Sequence, residues 1–272
     1  MSIKSLKNLQ MVQHSKEQLI LSVKNVSLAY DEKKVLNDIN LEIHNITRPG
    51  MIQGQIVSIV GRSGCGKSSL FKLLSGYNKV TSGTINVGVD QHDVKTGEMG
   101  VVPQDYPLFN HRTVQANLAL ALSSLKGKEK LDTIKSYTDH FELTEHLEKF
   151  PCELSGGQKQ RVSILQQVLA GNKFILLDEP FSGLDTLMKD KVINLLIKVS
   201  NLDEMNTLII VSHDIESTCA ISDTVFVLAD KDGNGSTITK TYNFLEEDLA
   251  YQEGVKENPK FRKILQEIKS LI

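Results

Sequence analysis

Cysteine is scarce in this sequence, charge is nearly balanced, and no apolar run approaches the roughly 20 residues that a membrane crossing needs. Any role at a membrane must therefore pass through a partner. The first 20 residues hold several lysines but no apolar stretch of the kind a secretory signal requires, which argues for a cytoplasmic chain. The three cysteines, Cys65, Cys152 and Cys219, are odd in number and widely spaced. They suit free thiols in a reducing compartment better than a disulfide framework or a metal cluster. A net charge of −2 gives none of the general basicity of nucleic-acid binders, so nucleic acid is not an expected partner. What is present, 272 residues of which 40% are apolar, is enough for one large domain or a core with an inserted lobe.

The stretch that organises the rest is residues 61–69, GRSGCGKSS, between the apolar runs 56–60 and 70–74. That context predicts strand, loop and helix, and the spacing Gly, four residues, Gly-Lys-Ser is that of a phosphate-binding loop. Gly61, Gly64 and Gly66 free the backbone so that the N–H groups of the loop, with Arg62, Ser63, Cys65 and Ser69 between and after them, form an anion cradle. Lys67 brings a positive charge to the β and γ phosphates, and Ser68 offers a hydroxyl to Mg²⁺. A thiol reagent on Cys65 is expected to block nucleotide binding, unless the residue only fills a small-residue slot.

Ahead of the loop, residues 1–17 are polar and aperiodic and read as a flexible lead-in. Alternation over 19–43 around the turn-like 31–34 predicts an antiparallel strand pair with Tyr30 just before its turn, where the ring either stacks on a purine or fills core. Residues 44–55 read as a Pro/Gly loop. Beyond the loop and its helix, 84–87 and 99–102 read as a hairpin, followed by Gln104. A glutamine there either ligates Mg²⁺ or holds the attacking water, or is a solvated loop residue. Helical spacing over 113–150 predicts a separate lobe.

At 154–161, LSGGQKQR, Ser155 is set as the N-cap of a helix that opens Ser155-Gly156-Gly157-Gln158, a second phosphate-binding end without side-chain bulk. One ATP has no need of two such ends from one chain, so each nucleotide is read as shared between two subunits. Residues 174–179, FILLDE, predict a buried parallel strand delivering Asp178 and Glu179 at its carboxyl end, the first to hold Mg²⁺ through its water shell, the second to polarise a water. A turn at 182–185, a helix from Thr186 to about Ser200 and a strand at 207–211 lead to His213, which is placed either to reach the γ-phosphate or as a structural imidazole.

Together these motifs resemble the nucleotide-binding subunit of ABC transporters over about residues 20–230, with Ser-Gly-Gly-Gln the discriminating part. The resemblance implies an α/β fold: a phosphate-loop NTPase core of mixed sheet and flanking helices, an antiparallel β subdomain, and an inserted helical lobe at about 105–165. It implies a domain over 18–245 followed by a helical tail at 246–272, and an ATPase using ATP and Mg²⁺. Two chains, identical or paralogous, would close over two ATP molecules. By this likeness Tyr30 is the adenine-stacking position, Gln104 the γ-phosphate sensor and a metal ligand with Ser68 and Asp178, and Glu179 the general base. His213 is the switch histidine, while Ser155, Gly157 and Asp185 reach across the dimer. Importer-type features, with Phe181 and the region 228–238 similar to nitrate, sulfonate and taurine subunits, imply a transmembrane permease that holds this cytoplasmic chain at the inner face of the cell membrane, and an extracellular solute-binding protein. The competing reading is a soluble ABC-type ATPase acting on DNA or ribosomes, whose usual coiled coils, zinc modules or second core are not visible here. The terminal helix, with Phe261, Ile264, Leu265, Ile268 and Ile272 on one side, is expected on its own domain, or else at the membrane face or the dimer partner.

Overall fold

The computed structural model describes residues 14–48, 52–252 and 254–272. In chain order the strands and helices are β1 (Ser15–Tyr30), β2 (Lys33–Thr47), β3 (Gln55–Val60), α1 (Lys67–Leu74), β4 (Ser82–Val87), β5 (His92–Asp93) and β6 (Gly100–Val102). There follow α2 (Val114–Ala121), α3 (Gly127–Thr138), α4 (Gly156–Leu169), β7 (Phe174–Asp178), α5 (Thr186–Ser200), β8 (Thr207–Ser212), α6 (Ile215–Cys219), β9 (Thr224–Ala229), β10 (Thr237–Asn243) and α7 (Pro259–Leu271). Two short 3₁₀ turns, Thr144–His146 and Pro151–Glu153, join α3 to α4.

The strands form two sheets. An antiparallel one runs β2-β1-β4-β5, and a mixed six-stranded one runs β10-β9-β3-β8-β7-β6, in which only β10 pairs antiparallel. Strands β3 and β8 are buried along their whole length, as befits parallel strands covered on both faces. Because side chains alternate across a strand, β8 sends Leu208 and Ile210 to one face and Ile209 and Val211 to the other. On the first face lie α2, α4 and α5, through Leu118, Leu165 and Leu196. On the second lie α1, through Leu70, Phe71 and Leu74, and the antiparallel sheet, through Val23, Val26 and Leu41. Helix α7 packs Phe261, Ile264, Leu265 and Ile268 against Val225, Val227 and Phe244 of its own domain.

Three sequence expectations need correction. Residues 84–87 and 99–102 are not a hairpin: β4 pairs with β1 and β5, whereas β6 runs parallel to β7 in the other sheet. The lead-in at 1–17 is shorter than expected, since Ser15–Glu17 already belong to β1; residues 1–13 lie outside the described residues. The segment read as a loop at 44–55 begins and ends in strands. Residues 44–47 complete β2, and Gln55 opens β3; 49–51 lie outside the described residues.

Arg48 anchors that connection. Its side chain is 1% accessible, pairs with Asp223 Oδ1 at 2.5 Å, and donates to the carbonyls of Gln53 (3.3 Å) and Gly54 (2.8 Å). Asp223 Oδ2 in turn accepts from Ile56 N (2.8 Å) and the Tyr251 hydroxyl (2.9 Å). Removing one partner would leave a buried charge uncompensated. Asp223→Ala is expected to cost about 3–5 kcal/mol of unfolding free energy, read as a lower urea midpoint at unchanged slope; a midpoint that stays put would show the pair to be dispensable.

Candidate functional site

Parallel pairing brings the carboxyl ends of β3, β7 and β8 together: Val60 stands opposite Ser212, and Asp178 opposite Val211. The residues that follow each strand therefore converge. After β3 the chain turns through Gly64 (φ 83°) and Gly66 (φ 91°), backbone conformations that side chains disfavour, before α1 begins at Lys67. Gly61 is fixed by close approach instead. A Cβ there would lie 2.4 Å from the Leu228 carbonyl oxygen and 2.8 Å from Cys65 Sγ. Arg62, Ser63, Gly64 and Ser68 are exposed, Cys65, Gly66 and Ser69 half-buried. Burial pushes the Cys65 thiol up, against the pull of Lys67.

Lys67 is buried and folds back over the loop, donating to the carbonyls of Gly61 (3.0 Å) and Arg62 (2.9 Å) and lying 3.6 Å from Glu179 Oε1. Glu179 has φ 51°, a costly conformation for its residue type, held by its own N–H on Val211 O at 2.8 Å. Its Oε2 accepts from His213 Nδ1 (2.7 Å), His213 N (3.1 Å) and Ser212 Oγ (3.1 Å). Beside it, Asp178 is pushed up by burial and by the Glu179 charge, partly offset by Lys67, Lys72 and a hydrogen bond with Ser68. Its Oδ1 is buried and has no hydrogen-bond partner among the described residues. A carboxylate oxygen left unpaired next to a serine hydroxyl is a donor set that suits a hard divalent cation. Gln104 is turned to the next bend, its amide donating to Ser182 Oγ at 3.3 Å. Tyr30 is half exposed, and its hydroxyl accepts from Asn78 Nδ2 at 3.1 Å.

The second phosphate-attracting end is elsewhere. Ser155 caps α4 by accepting from Gln158 N (3.3 Å), while Gln158 Oε1 accepts from Ser155 N (2.9 Å), a reciprocal capping box. Ser155 and Gly156 are exposed. Asp185 caps α5 through Met188 N at 2.9 Å, and Met188 Cε would be 3.1 Å from a Cβ on Gly157, so the turn at 182–185 adjoins the signature. The structure thus gathers two groups, one around residues 61–68 with Asp178, Glu179 and His213, the other around 155–158 and Asp185. Helices α1 and α4 lie on opposite faces of the six-stranded sheet. Sequence reasoning did not assign Ser212 or Ser182 a contact; both stand within the singled-out strand ends and turns.

This pairing of a phosphate loop with a serine-capped signature helix defines a nucleotide-binding cassette, and residues 44–182 match the ABC transporter family. The chain belongs to that family and is an ABC-type ATPase subunit. It is 35% identical over 244 residues to the nitrate import ATP-binding protein of Synechocystis sp., covering 87% of each chain. It is 34% identical to the maltose/maltodextrin import ATP-binding protein of Salmonella typhimurium, over 76% of this chain but only 55% of that one. Among solved structures it is similar to cbiO1 of Clostridium perfringens, part of an ABC transporter complex, with a TM-score of 0.72 at 26% identity over 93% of this chain and all (100%) of the other. A dimeric bacterial ABC transporter cassette follows at TM-score 0.65 and 26% identity, covering 82% of this chain and 98% of that one. No helix among the described residues is long and apolar enough to cross a membrane.

The close approach at Gly61 yields a direct test. Gly61→Ala must displace the loop from Leu228, and ATP affinity in an equilibrium titration is expected to fall about tenfold or more, a loss of ~1.4 kcal/mol upward; unchanged affinity would show that the cradle tolerates the shift.

Proposed function

We propose that two copies of this chain, or this chain and a paralogue, close head to tail over two ATP molecules and reopen after hydrolysis, driving solute import through a membrane permease. The observation that carries this reading is the separation of the two helix ends. Lys67 and Ser155 sit at the starts of helices on opposite faces of one sheet, which favours a nucleotide that takes one end from each of two subunits. The dimeric cassette among the structural neighbours supports the same arrangement.

In this scheme the N–H groups of 61–69 and the Lys67 ammonium bind the phosphates, and Tyr30 offers its exposed ring to the adenine. Ser68 and Asp178 would hold Mg²⁺, with Gln104 swinging from Ser182 to join them; the ion would neutralise phosphate charge. Glu179 takes the proton of the attacking water. His213 and Ser212 orient that carboxylate, and the imidazole is ready to turn toward the γ-phosphate. Ser155, Gly157 and Asp185 complete the partner's nucleotide site. Because ATP contacts both subunits and ADP contacts one of them less, ATP favours the closed pair and hydrolysis releases it.

Import is supported by the relatives named for nitrate and maltodextrin uptake. The permease contact is assigned to the segment 105–111, where Phe109 is 55% exposed while Tyr106 and Leu108 pack inward on the helical core. Such a chain works at the inner face of the cell membrane, with a solute-binding protein outside delivering cargo.

Glu179→Gln separates binding from chemistry. Turnover is expected to fall by about 10²–10⁴ while ATP affinity is retained, and the ATP-loaded variant is expected to sediment as a dimer. Normal hydrolysis would reassign the base, and an ATP-saturated monomer would remove the shared-nucleotide scheme.

A further inference from the structure

The capping box that presents Ser155 has a third member. Gln158 spends its carbonyl Oε1 on Ser155 N (2.9 Å), which fixes the orientation of its amide, and its Nε2 then faces His146 Nε2 at 2.8 Å. An amide N–H₂ can only donate, so His146 Nε2 must be the acceptor and the proton of the neutral ring sits on Nδ1. That Nδ1 is buried and has no hydrogen-bond partner among the described residues. A buried donor left unpaired is costly, and a residue that keeps one calls for an explanation beyond packing.

His146 is itself well placed to hold the amide. It ends the 3₁₀ turn Thr144–His146, its N–H donates to Leu143 O (2.9 Å), and its carbonyl accepts from Lys149 N (3.1 Å). The same short segment receives the first turn of α2, since Gln115 N donates to Leu147 O (2.9 Å) and Val114 N to Lys149 O (2.8 Å). The imidazole therefore stands between the segment that seats α2 and the glutamine that caps α4.

We infer that His146 is a positioning residue for the signature serine: by accepting from Gln158 it gives the amide a second anchor beside Ser155 N, tightens the capping box and keeps the serine hydroxyl aimed for the partner's nucleotide. This rests on the reading that Ser155 completes the partner's site. Without the imidazole, the Gln158 amide keeps only its bond from Ser155 N, and the capping box loosens. The phosphate loop of the same chain is untouched.

The test uses the full chain in five forms, His146→Ala, His146→Gln, Gln158→Ala, the double His146→Ala/Gln158→Ala and Ser155→Ala, each also made with Glu179→Gln for sedimentation with ATP. His146→Ala is expected to lower kcat and weaken ATP-driven dimerisation, each about tenfold, with melting temperature and nucleotide affinity of the dilute monomer unchanged. His146→Gln, whose carbonyl reaches the position of Nε2, is expected to restore both. The double variant should be no worse than Gln158→Ala alone, because one interaction is lost in either case. If His146→Ala dimerises like the parent while Ser155→Ala does not, the inference falls and the shared-nucleotide reading stands. If Ser155→Ala also dimerises normally, both fall. Loss of monomer nucleotide binding together with lowered melting temperature, unrescued by His146→Gln, would make His146 a packing residue and overturn the inference.

Discussion

One sheet keeps apart the two helix ends that are each able to bind phosphate. Parallel strands collect loops at their carboxyl ends, which is how Lys67 and His213, distant in sequence, each come within ion-pair or hydrogen-bonding distance of Glu179. The same strands, buried on both faces, need a helical layer on each side. Helix α1 takes one side and α4 the other. On the proposed scheme the Ser155 and Lys67 that meet one nucleotide come from different subunits, so that closure of the pair depends on ATP. By mass action, a ligand that contacts two subunits stabilises the pair by its differential affinity for the closed form.

The Glu179 carboxylate is the electrostatic centre on the loop side. It faces Lys67 through Oε1 and takes three donors from Ser212 and His213 on Oε2. Phosphate oxygens compete for the same ammonium. On the proposed mechanism, a bound triphosphate draws Lys67 away from Glu179 and leaves the carboxylate oriented by the strand-end donors alone, with Oε1 turned to the reacting water. The positive φ at Glu179 belongs to the same design, because a residue in an ordinary extended conformation would continue β7 past the site.

What could be read from sequence followed the range of the interactions involved. The phosphate loop, the cap at Ser155 and the helix Thr186–Ser200 depend on neighbours within a few residues, and their patterns are local. The run FILLDE is apolar on both faces, so its place inside a parallel sheet was legible, although it lies beside the edge strand β6 and not at the centre. Pairing partners were not. Gly100–Val102 has the composition of a strand, but nothing in three residues says that it lies beside β7 and not β4. Arg48 read as part of a loop because its partner, Asp223, is 175 positions away. His146 carried no signal either: it is one histidine in a short turn, and its bond to Gln158 exists only once the helical lobe has folded.

The helical lobe is tied together by a buried asparagine rather than by apolar contact alone. Asn117 is fully buried; its amide donates to the carbonyls of Phe109 (3.1 Å), Arg112 (3.1 Å) and Thr113 (3.0 Å), and its Oδ1 accepts from Phe109 N (2.8 Å). Its own carbonyl accepts from Gln166 of α4 at 2.9 Å. The segment that presents Phe109 is therefore bonded to α2, α2 to α4, and α4 carries Ser155 at its far end. Each link is a hydrogen bond made in a low-dielectric setting, where breaking it without replacement is costly. On the proposed scheme a permease that pushes on Phe109 is coupled through this chain of hydrogen bonds to Ser155 and so to the partner's nucleotide.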